Sequence, residues 1–508
     1  MPYAHKTIPF KHQEEFFERT RDLTSHAVFW EQGTGKTKVT IDTVAWNYLL
    51  GKINGVLIIA PSGVHSNWIL DELPAHLPKE VAMVSRTMIY RNKSSGTVYH
   101  RKELAQIVKA PGLAWLAMNY DAFITQAGRQ AAWDFLRERK VFYVLDESSR
   151  VKTPSAKRTR TIVSSGKYAK FRRILDGTPL TNGPFDIYSP LEFLEETFWK
   201  KLQLGSFTMF KNYFGIFKQI ELRKKQGDPV DAAPKTFPQL VSFQRLDELN
   251  KIIDPISSRV LKKDVLDLPD KIYQKRYFTM TTEQQRLYDD LKTKFVTWLN
   301  SGEVITANLA IVRLLRFQQI TCGYLPVDIL VDIESGDKSR EWREIDAVNP
   351  RIELYKEVVE DTHGKIITWA RFTRDIDKIM EALQSMGRKP VRYDGLVSED
   401  QRLMNKEAFQ HGDATDFVGK PSVGGTGITL TACDKTIYYN NSFKLMERLQ
   451  SEDRNHRIGQ KNNVVYTDLL AESSIDAHIL RSLGKKLDIS NTVLGDEVVK
   501  DLRTWFSA

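Results

Sequence analysis

Short apolar runs alternate with helical patterns over the first 190 residues, and the same alternation returns after residue 350. In the first block the strand candidates are 26–30, 56–61, 113–118, 141–146 and 173–176, each bounded by Gly, Pro, Asp or Asn. Between the first two, 36–50 carries Val39, Thr43, Trp46 and Leu50 at helical spacing. In the second block 365–370, 416–419, 436–439 and 464–469 read as strands, with 375–386 and 398–409 as helices. Strand–helix alternation of this kind argues for a mainly parallel sheet covered by helices. The pattern therefore predicts an α/β protein with two parallel-sheet lobes, at 1–190 and 350–482.

The stretch between them has another texture. Phe193, Phe198, Trp199, Phe207, Phe210, Tyr213, Phe214 and Phe217 crowd into helical patterns. Loops are predicted at 226–238 and 327–350, and a helix at 282–299 with Thr282 as its N-cap. Residues 191–349 are accordingly read as a mainly helical region with its aromatics as core, and residues 483–508 as a mixed helical and loop tail.

Composition narrows the function classes. At about 150 residues per domain, 508 residues allow roughly three units. With 41% hydrophobic and 27% charged residues the chain is not a disordered one. Its apolar runs fall far short of the roughly 20 residues of a bilayer span, and no secretory pattern opens it. Two cysteines, Cys322 and Cys433, build neither a disulfide framework nor a four-cysteine zinc site. These features predict a cytoplasmic protein, nucleoid-associated in a prokaryotic or viral setting, with no membrane partner. The net charge of +10 points weakly to a polyanion. Its densest part, 148–175, holds nine basic residues and no Asp or Glu. A basic loop and helix with no partner would read the same.

Gly33-Thr34-Gly35-Lys36-Thr37 follows a strand and opens a helix. That context suits a phosphate loop: small residues let backbone N–H groups curl round phosphates, and the helix N-terminus adds partial positive charge. Lys36 would reach the β- and γ-phosphates and Thr37 would ligate Mg2+. The strict eight-residue pattern wants Gly at position 30, where this chain has Trp30. The companion is the run Phe142-Tyr143-Val144-Leu145-Asp146-Glu147, a buried strand ending in two carboxylates. Asp146 would hold the Mg2+ shell and Glu147 would orient and deprotonate the attacking water. A glycine turn and a capping Asp-Glu pair are the plain alternatives; together and in this order the two motifs indicate nucleotide hydrolysis. Near the end, Arg454 and Arg457 stand three apart, on one helix face, as candidate γ-phosphate partners.

In these residues the chain resembles a superfamily 2 helicase-type motor of the Swi/Snf-related family of DNA translocases. Phe10-Lys11-His12-Gln13 resembles the family's adenine-reading motif and implies Gln13 as the adenine contact. Ala60-Pro61-Ser62 with Asn67-Trp68, and Asn119-Tyr120, resemble DNA-backbone motifs. Asp176-Gly177-Thr178-Pro179-Leu180 resembles the coupling motif, with Asp176 where Ser or Thr is usual. Leu268-Pro269-Asp270-Lys271, 316–322, 366–373, Tyr393-Asp394-Gly395 and Gly424-Gly425-Thr426-Gly427-Ile428 resemble later motifs. Asp453-Arg454-Asn455-His456-Arg457-Ile458-Gly459-Gln460 is the most specific string, separating this family from the DEAD-box and RecQ-like groups. One departure stands out: the family's Asp-Glu-X-His reads Asp146-Glu147-Ser148-Ser149 here.

The resemblance implies two RecA-like lobes with helical insertions, closing on ATP and Mg2+, with helical protrusions and a linker at 191–349, whose aromatics are core rather than base-stacking platforms, and a C-terminal brace at 483–508. Gln13, Gly33, Thr34, Gly35, Lys36, Thr37, Gly425 and Gly427 would bind the cofactor. Lys36, Asp146, Glu147, Arg454 and Arg457 would be catalytic, with Thr37 and Asp146 on the metal. Ser62, Asn119, Lys152, Arg371 and Ser422 would contact double-stranded or forked DNA through its phosphates, since a translocating motor must ignore sequence. The compact form resembles the annealing-helicase branch, acting as a monomer. A strand-separating helicase and an ATP-gated DNA clamp with little turnover are the competing expectations.

Overall fold

The structure, a computed structural model, describes residues 3–221, 236–300, 307–330, 338–424 and 428–494. The chain divides into two compact units. The first is built from residues 1–215, 243–268 and 486–498, the second from 216–242, 269–485 and 499–508.

The first unit holds a seven-stranded sheet. Its strands are β1 (Ser25–Trp30), β2 (Gly55–Ala60), β3 (Ser85–Ile89), β4 (Leu113–Asn119), β5 (Val141–Asp146) and β6 (Phe171–Leu175). A two-stranded ribbon of β7 (Gly215–Glu221) and β8 (Thr236–Phe243) precedes the last sheet strand, β9 (Ser257–Val260). The order is β3-β4-β2-β5-β6-β1-β9, and every neighbouring pair is parallel. β2 and β5 are buried at every position, as strands covered on both faces must be, which is why they appear in the sequence as unbroken apolar runs. Side chains alternate between two cores: Ala27, Phe29, Leu57 and Ile59 enter one, Val28, Trp30, Val56 and Ile58 the other.

The second unit carries a six-stranded parallel sheet. Its strands are β10 (Lys271–Phe278), then, after a β11 (Tyr324–Leu330) and β12 (Lys338–Glu344) hairpin, β13 (Ile366–Trp369), β14 (Pro390–Tyr393), β15 (Asp416–Gly419), β16 (Lys435–Tyr438) and β17 (Val464–Ala471). The order is β10-β17-β16-β13-β15-β14. Two parallel-sheet lobes are thus present, as the alternation predicts. One buried charge cluster here is paired: the Arg448 guanidinium meets both oxygens of Asp468, at 2.7 and 3.1 Å, and Glu452 at 2.7 Å.

The stretch 191–349 differs from its helical expectation. It supplies β9 to the first sheet and β10 to the second, besides two two-stranded ribbons. Edge strands escape an apolar-run search because half of each is wet: β10 alternates half-buried with exposed, and β3 is also mostly solvated. The aromatics there are largely core, since Phe193, Trp199, Phe210 and Phe214 are each at most 1% exposed. The helix Thr282–Asn300 is present, and Ile475–Leu494 crosses the expected boundary at 482–483. Both cysteines are buried thiols. No helix among the described residues is long and apolar enough to cross a membrane.

Candidate functional site

Three neighbouring strands of the first unit end at one place. Asp146 of β5 lies opposite Leu175 of β6, and Leu175 opposite Val28 of β1. Their carboxyl ends therefore bring Asp146-Glu147, Asp176 and the loop after Trp30 side by side, where open parallel sheets take their ligands.

The loop runs into α2 (Lys36–Leu49). Gly33 and Gly35 have φ of +82° and +90°, conformations that L side chains avoid. Gly35 has a second constraint: a Cβ there would lie 2.0 Å from Gln13 Nε2. Gln13, on α1 (Lys11–Thr20), is buried. It donates to the Thr34 carbonyl at 3.1 Å and accepts from Phe10 N–H at 3.0 Å. His12 adds a ring-nitrogen contact to Thr34 O at 2.9 Å. The residue predicted to read adenine thus also braces the phosphate loop. Lys36 donates Nζ to the carbonyls of Trp30 at 2.8 Å and Glu31 at 3.2 Å. Thr37, its neighbour at the helix start, is half-buried. Trp30 replaces the motif's glycine because its side chain is core. It packs edge-on to Phe16 and His12 and donates to Ser258 Oγ at 2.9 Å.

Asp146 is buried and accepts from Trp68 Nε1 at 2.8 Å. Burial pushes its pKa up, against the pull of the Trp68 hydrogen bond and the Lys36 charge. Glu147 sits at φ +57°, a strained position for a non-glycine residue. Burial, then the Asp176 and Asp146 charges, push its carboxyl up to about 8. Its Oε1 accepts from Gln32 Nε2 at 3.4 Å, while Oε2 is buried and makes no hydrogen bond. Tyr120 OH donates to the carbonyls of Asp146 at 2.8 Å and Glu147 at 3.3 Å, joining the Asn119-Tyr120 motif to the carboxylate turn.

Two departures from the family pattern meet here. Asp176 is fully buried, and its carboxylate accepts the N–H of Ser149 at 2.6 Å, the N–H of Thr178 at 2.8 Å and Ser148 Oγ–H at 3.4 Å. Burial raises its pKa. The carboxylate standing where Ser or Thr is usual therefore holds the turn in which Ser149 stands for His.

The residues fit a magnesium–nucleotide. The loop is free of side chains at Gly33 and Gly35, an ammonium sits at its mouth, and a buried carboxylate oxygen of Glu147 is unsatisfied. Among the described residues no three His, Cys, Asp or Glu converge as a self-contained metal cage. A divalent ion at Thr37 and Asp146 would draw its other ligands from phosphate and water, the usual way Mg2+ is held.

The predicted DNA contacts divide. Ser62 and Ser422 are exposed. Asn119 accepts from Ala122 N–H at 2.9 Å and Asn92 Nδ2 at 3.3 Å, capping a short turn. Lys152 is tied to Thr181 and to Asp186 at 3.2 Å. Arg371 donates to Gln318, and its N–H to Asn440 Oδ1 at 2.7 Å. These three carry internal structure as placed here. The basic run 148–175 is also less uniform than its charge suggests. Arg173 is buried, donates to Thr20 O and Leu23 O at 2.9 Å each, and burial lowers its pKa to about 9. Arg150, Lys157, Arg160, Lys167 and Lys170 are the exposed members.

In the second unit Arg454 is buried and donates to the Gln450 carbonyl at 2.7 Å and the Ile428 carbonyl at 3.2 Å, which ties its guanidinium to the motif. Arg457 is half-buried and reaches Ile428 O at 3.3 Å. Gly424 is needed for packing, because a Cβ there would lie 2.7 Å from the Trp369 ring. Gly425 and Gly427 lie outside the described residues. Sequence reasoning missed His12, Gln32 and the Trp68–Asp146 bond; only adjacency to recognised motifs could have signalled them.

Residues 22–322 match the SNF2-related domain, and residues 350–459 match the helicase conserved C-terminal domain. The transcription regulatory protein SNF2 of Saccharomyces cerevisiae is 26% identical over 479 residues, covering 91% of this chain and 26% of that protein. The nuclear protein STH1/NPS1 of the same yeast is 25% identical, over 91% of this chain and 33% of that protein. The ATP-dependent helicase fft3 of Schizosaccharomyces pombe is 25% identical, over 92% and 54%. The chain thus spans between about a quarter and a half of the length of these relatives. Among solved structures, the Sulfolobus solfataricus SWI2/SNF2 ATPase core in complex with dsDNA aligns over 100% of this chain and 98% of that one, at 22% identity and a TM-score of 0.41.

Proposed function

Because the chain belongs to the SNF2-related family of helicase-type ATPases, we propose that it is an ATP-driven motor that tracks along double-stranded DNA and remodels forked or branched DNA, working as a monomer. What carries this reading is the convergence of the phosphate loop, Asp146-Glu147 and Asp176 at three adjacent strand ends.

The roles follow from the geometry. Lys36 exchanges the Trp30 and Glu31 carbonyls for nucleotide phosphate, so its charge is spent on the loop only while no substrate is bound. Gln13 and His12 hold the Thr34 carbonyl, keeping the loop's N–H groups turned inward. Mg2+, on Thr37 and Asp146, would offset negative charge on the phosphates. Trp68 fixes the Asp146 carboxylate for that task. Glu147, with its unsatisfied Oε2 and raised proton affinity, takes the proton of the attacking water. Arg457 supplies guanidinium charge for the transition state, with Arg454 as its anchor. Tyr120 and Asp176 transmit movement of the Asp146-Glu147 turn to the Asn119 and 148–152 segments. The exposed members of 148–175 contact DNA phosphates.

ATPase rates with no DNA, single-stranded, duplex and forked DNA test this. Stimulation by duplex or forked DNA, with loss of turnover in Lys36→Ala and Glu147→Gln, is expected. Rates indifferent to DNA would reject the motor; near-normal turnover in either variant would reject the site. Triplex displacement without duplex unwinding separates translocation from strand separation.

A further inference from the structure

β3 is an edge strand of the first sheet, and the chain leaving its carboxyl end builds a surface that the ATP site does not use. A turn is closed there by Ser94 N–H on Arg91 O at 3.1 Å and Thr97 N–H on Ser94 O at 2.9 Å. It leads into the helix Val98–Lys109, where Thr97 Oγ1 caps the first turn by accepting the His100 N–H at 3.2 Å. Asn92 Nδ2 donates to Asn119 Oδ1 at 3.3 Å, so the turn stands beside the Asn119-Tyr120 segment.

This surface is cationic. Arg91, Lys93, Arg101 and Lys102 are exposed, residues 81–102 include no Asp or Glu, and no carboxylate among the described residues holds any of the four. The start of the helix adds its partial positive charge. Val98 and Tyr99 stand out from the middle of it, 74% and 77% exposed. One exposed apolar side chain is ordinary, but an exposed ring among four cations is placed to meet a ligand that is both anionic and flat. His100, on the same turn, is buried edge-on against Tyr90, with ring centroids 4.9 Å apart. Burial lowers its pKa, and its Nε2 has no hydrogen-bond partner. Buried polar nitrogens are ordinarily paired, so the turn is completed by what it binds.

Duplex DNA offers such a surface its phosphates but keeps its bases stacked inside. An unpaired strand offers both, phosphates to the cations and a base face to the ring. We propose that this turn and the start of the helix form a contact for unpaired DNA, with Tyr99 stacking on a base and Arg91, Lys93, Arg101 and Lys102 on the flanking phosphates. The inference rests on the DNA-motor reading given above and adds to it a grip on the open arm of a fork.

Fluorescence anisotropy of labelled single-stranded, duplex and forked DNA, titrated with the full chain at several salt concentrations, tests this. The proteins are wild type, Tyr99→Ala, Tyr99→Phe and the Arg91→Gln/Lys93→Gln pair, each with a melting curve. Tyr99→Ala should weaken single-strand and fork binding about tenfold, with duplex binding and melting temperature unchanged, and Tyr99→Phe should restore it. The Arg91→Gln/Lys93→Gln pair should flatten the single-strand slope of log affinity against log salt by about 0.7 per charge removed. Wild-type single-strand affinity in Tyr99→Ala overturns the inference. So does an equal loss on duplex and single strand, which makes the surface a duplex contact, or a lowered melting temperature that Tyr99→Phe does not repair, which assigns Tyr99 to packing. If wild type binds none of the three DNAs, the motor reading itself fails, and this inference with it.

Discussion

Replacing Gly35 by alanine separates two costs that the structure places on one atom. The φ of +90° makes a Cβ strained by about 1–2 kcal/mol. The same Cβ would lie 2.0 Å from Gln13 Nε2, so the amide must swing away. That breaks its bonds to Thr34 O at 3.1 Å and Phe10 N–H at 3.0 Å. At about 1 kcal/mol for each hydrogen bond, Gly35→Ala should cost about 3–4 kcal/mol in total. Gln13→Ala alone removes the two bonds, about 2 kcal/mol. With no amide left to displace, Gly35→Ala in that background should cost only the strain. The double-mutant cycle should therefore show a coupling of about 2 kcal/mol. Native-state hydrogen exchange of α1 amides, with urea titration of the nucleotide-free protein, reads these free energies. Costs that add to within about 0.5 kcal/mol would refute the contact between Gln13 and the loop.

Arg173→Met should destabilise the first unit by about 2–3 kcal/mol, because it removes the guanidinium's hydrogen bonds to Thr20 O, which keeps the Leu23 N–H, and to Leu23 O. It should leave the salt dependence of DNA binding unchanged, whereas charge removal at Arg150, Lys157 or Arg160 should flatten it; the slope of log affinity against log salt distinguishes them. Trp68→Phe removes the donor to Asp146 and should raise the Mg2+ concentration for half-maximal ATPase about tenfold, a loss in line with a charge-assisted hydrogen bond. The apo protein should lose stability as pH rises from about 6.5 to about 8, because folded Glu147 keeps a proton that the unfolded chain has already released. The buried His26, already neutral when folded but half protonated at pH 6.5 when unfolded, opposes this slope in the lower part of the window, so the Glu147 share is read as the difference from Glu147→Gln. Glu147→Gln should abolish it in denaturant melts taken across that range.

The sequence already contained the two sheets and the chemistry of their strand ends. β2 and β5 are buried on both faces, so they had to be continuous apolar runs, and Asp146-Glu147 had to stand where such a run stops. The loop from Gly33 to Lys36 was equally legible, because positive φ admits few residues other than glycine. β3, β9 and β10 were not legible: edge strands have a solvated side, and no period of two or four marks them off from loops. Charge misled in the same way, since a count of nine basic residues does not separate the buried Arg173 from the exposed Arg160.

What the sequence determined by itself is the local grammar: which segments are strands, which loop curls round phosphate, which carboxylates end a strand. What only the tertiary structure decided is who answers whom. Asp176 meeting Ser149, Trp68 meeting Asp146, Gln13 meeting Gly35 and Lys262 meeting Gly33 are pairs 22 to 229 positions apart, made neighbours by strand order. A parallel sheet joins strands through crossovers of many residues, so the groups that share its carboxyl edge are separated in sequence by the length of those crossovers.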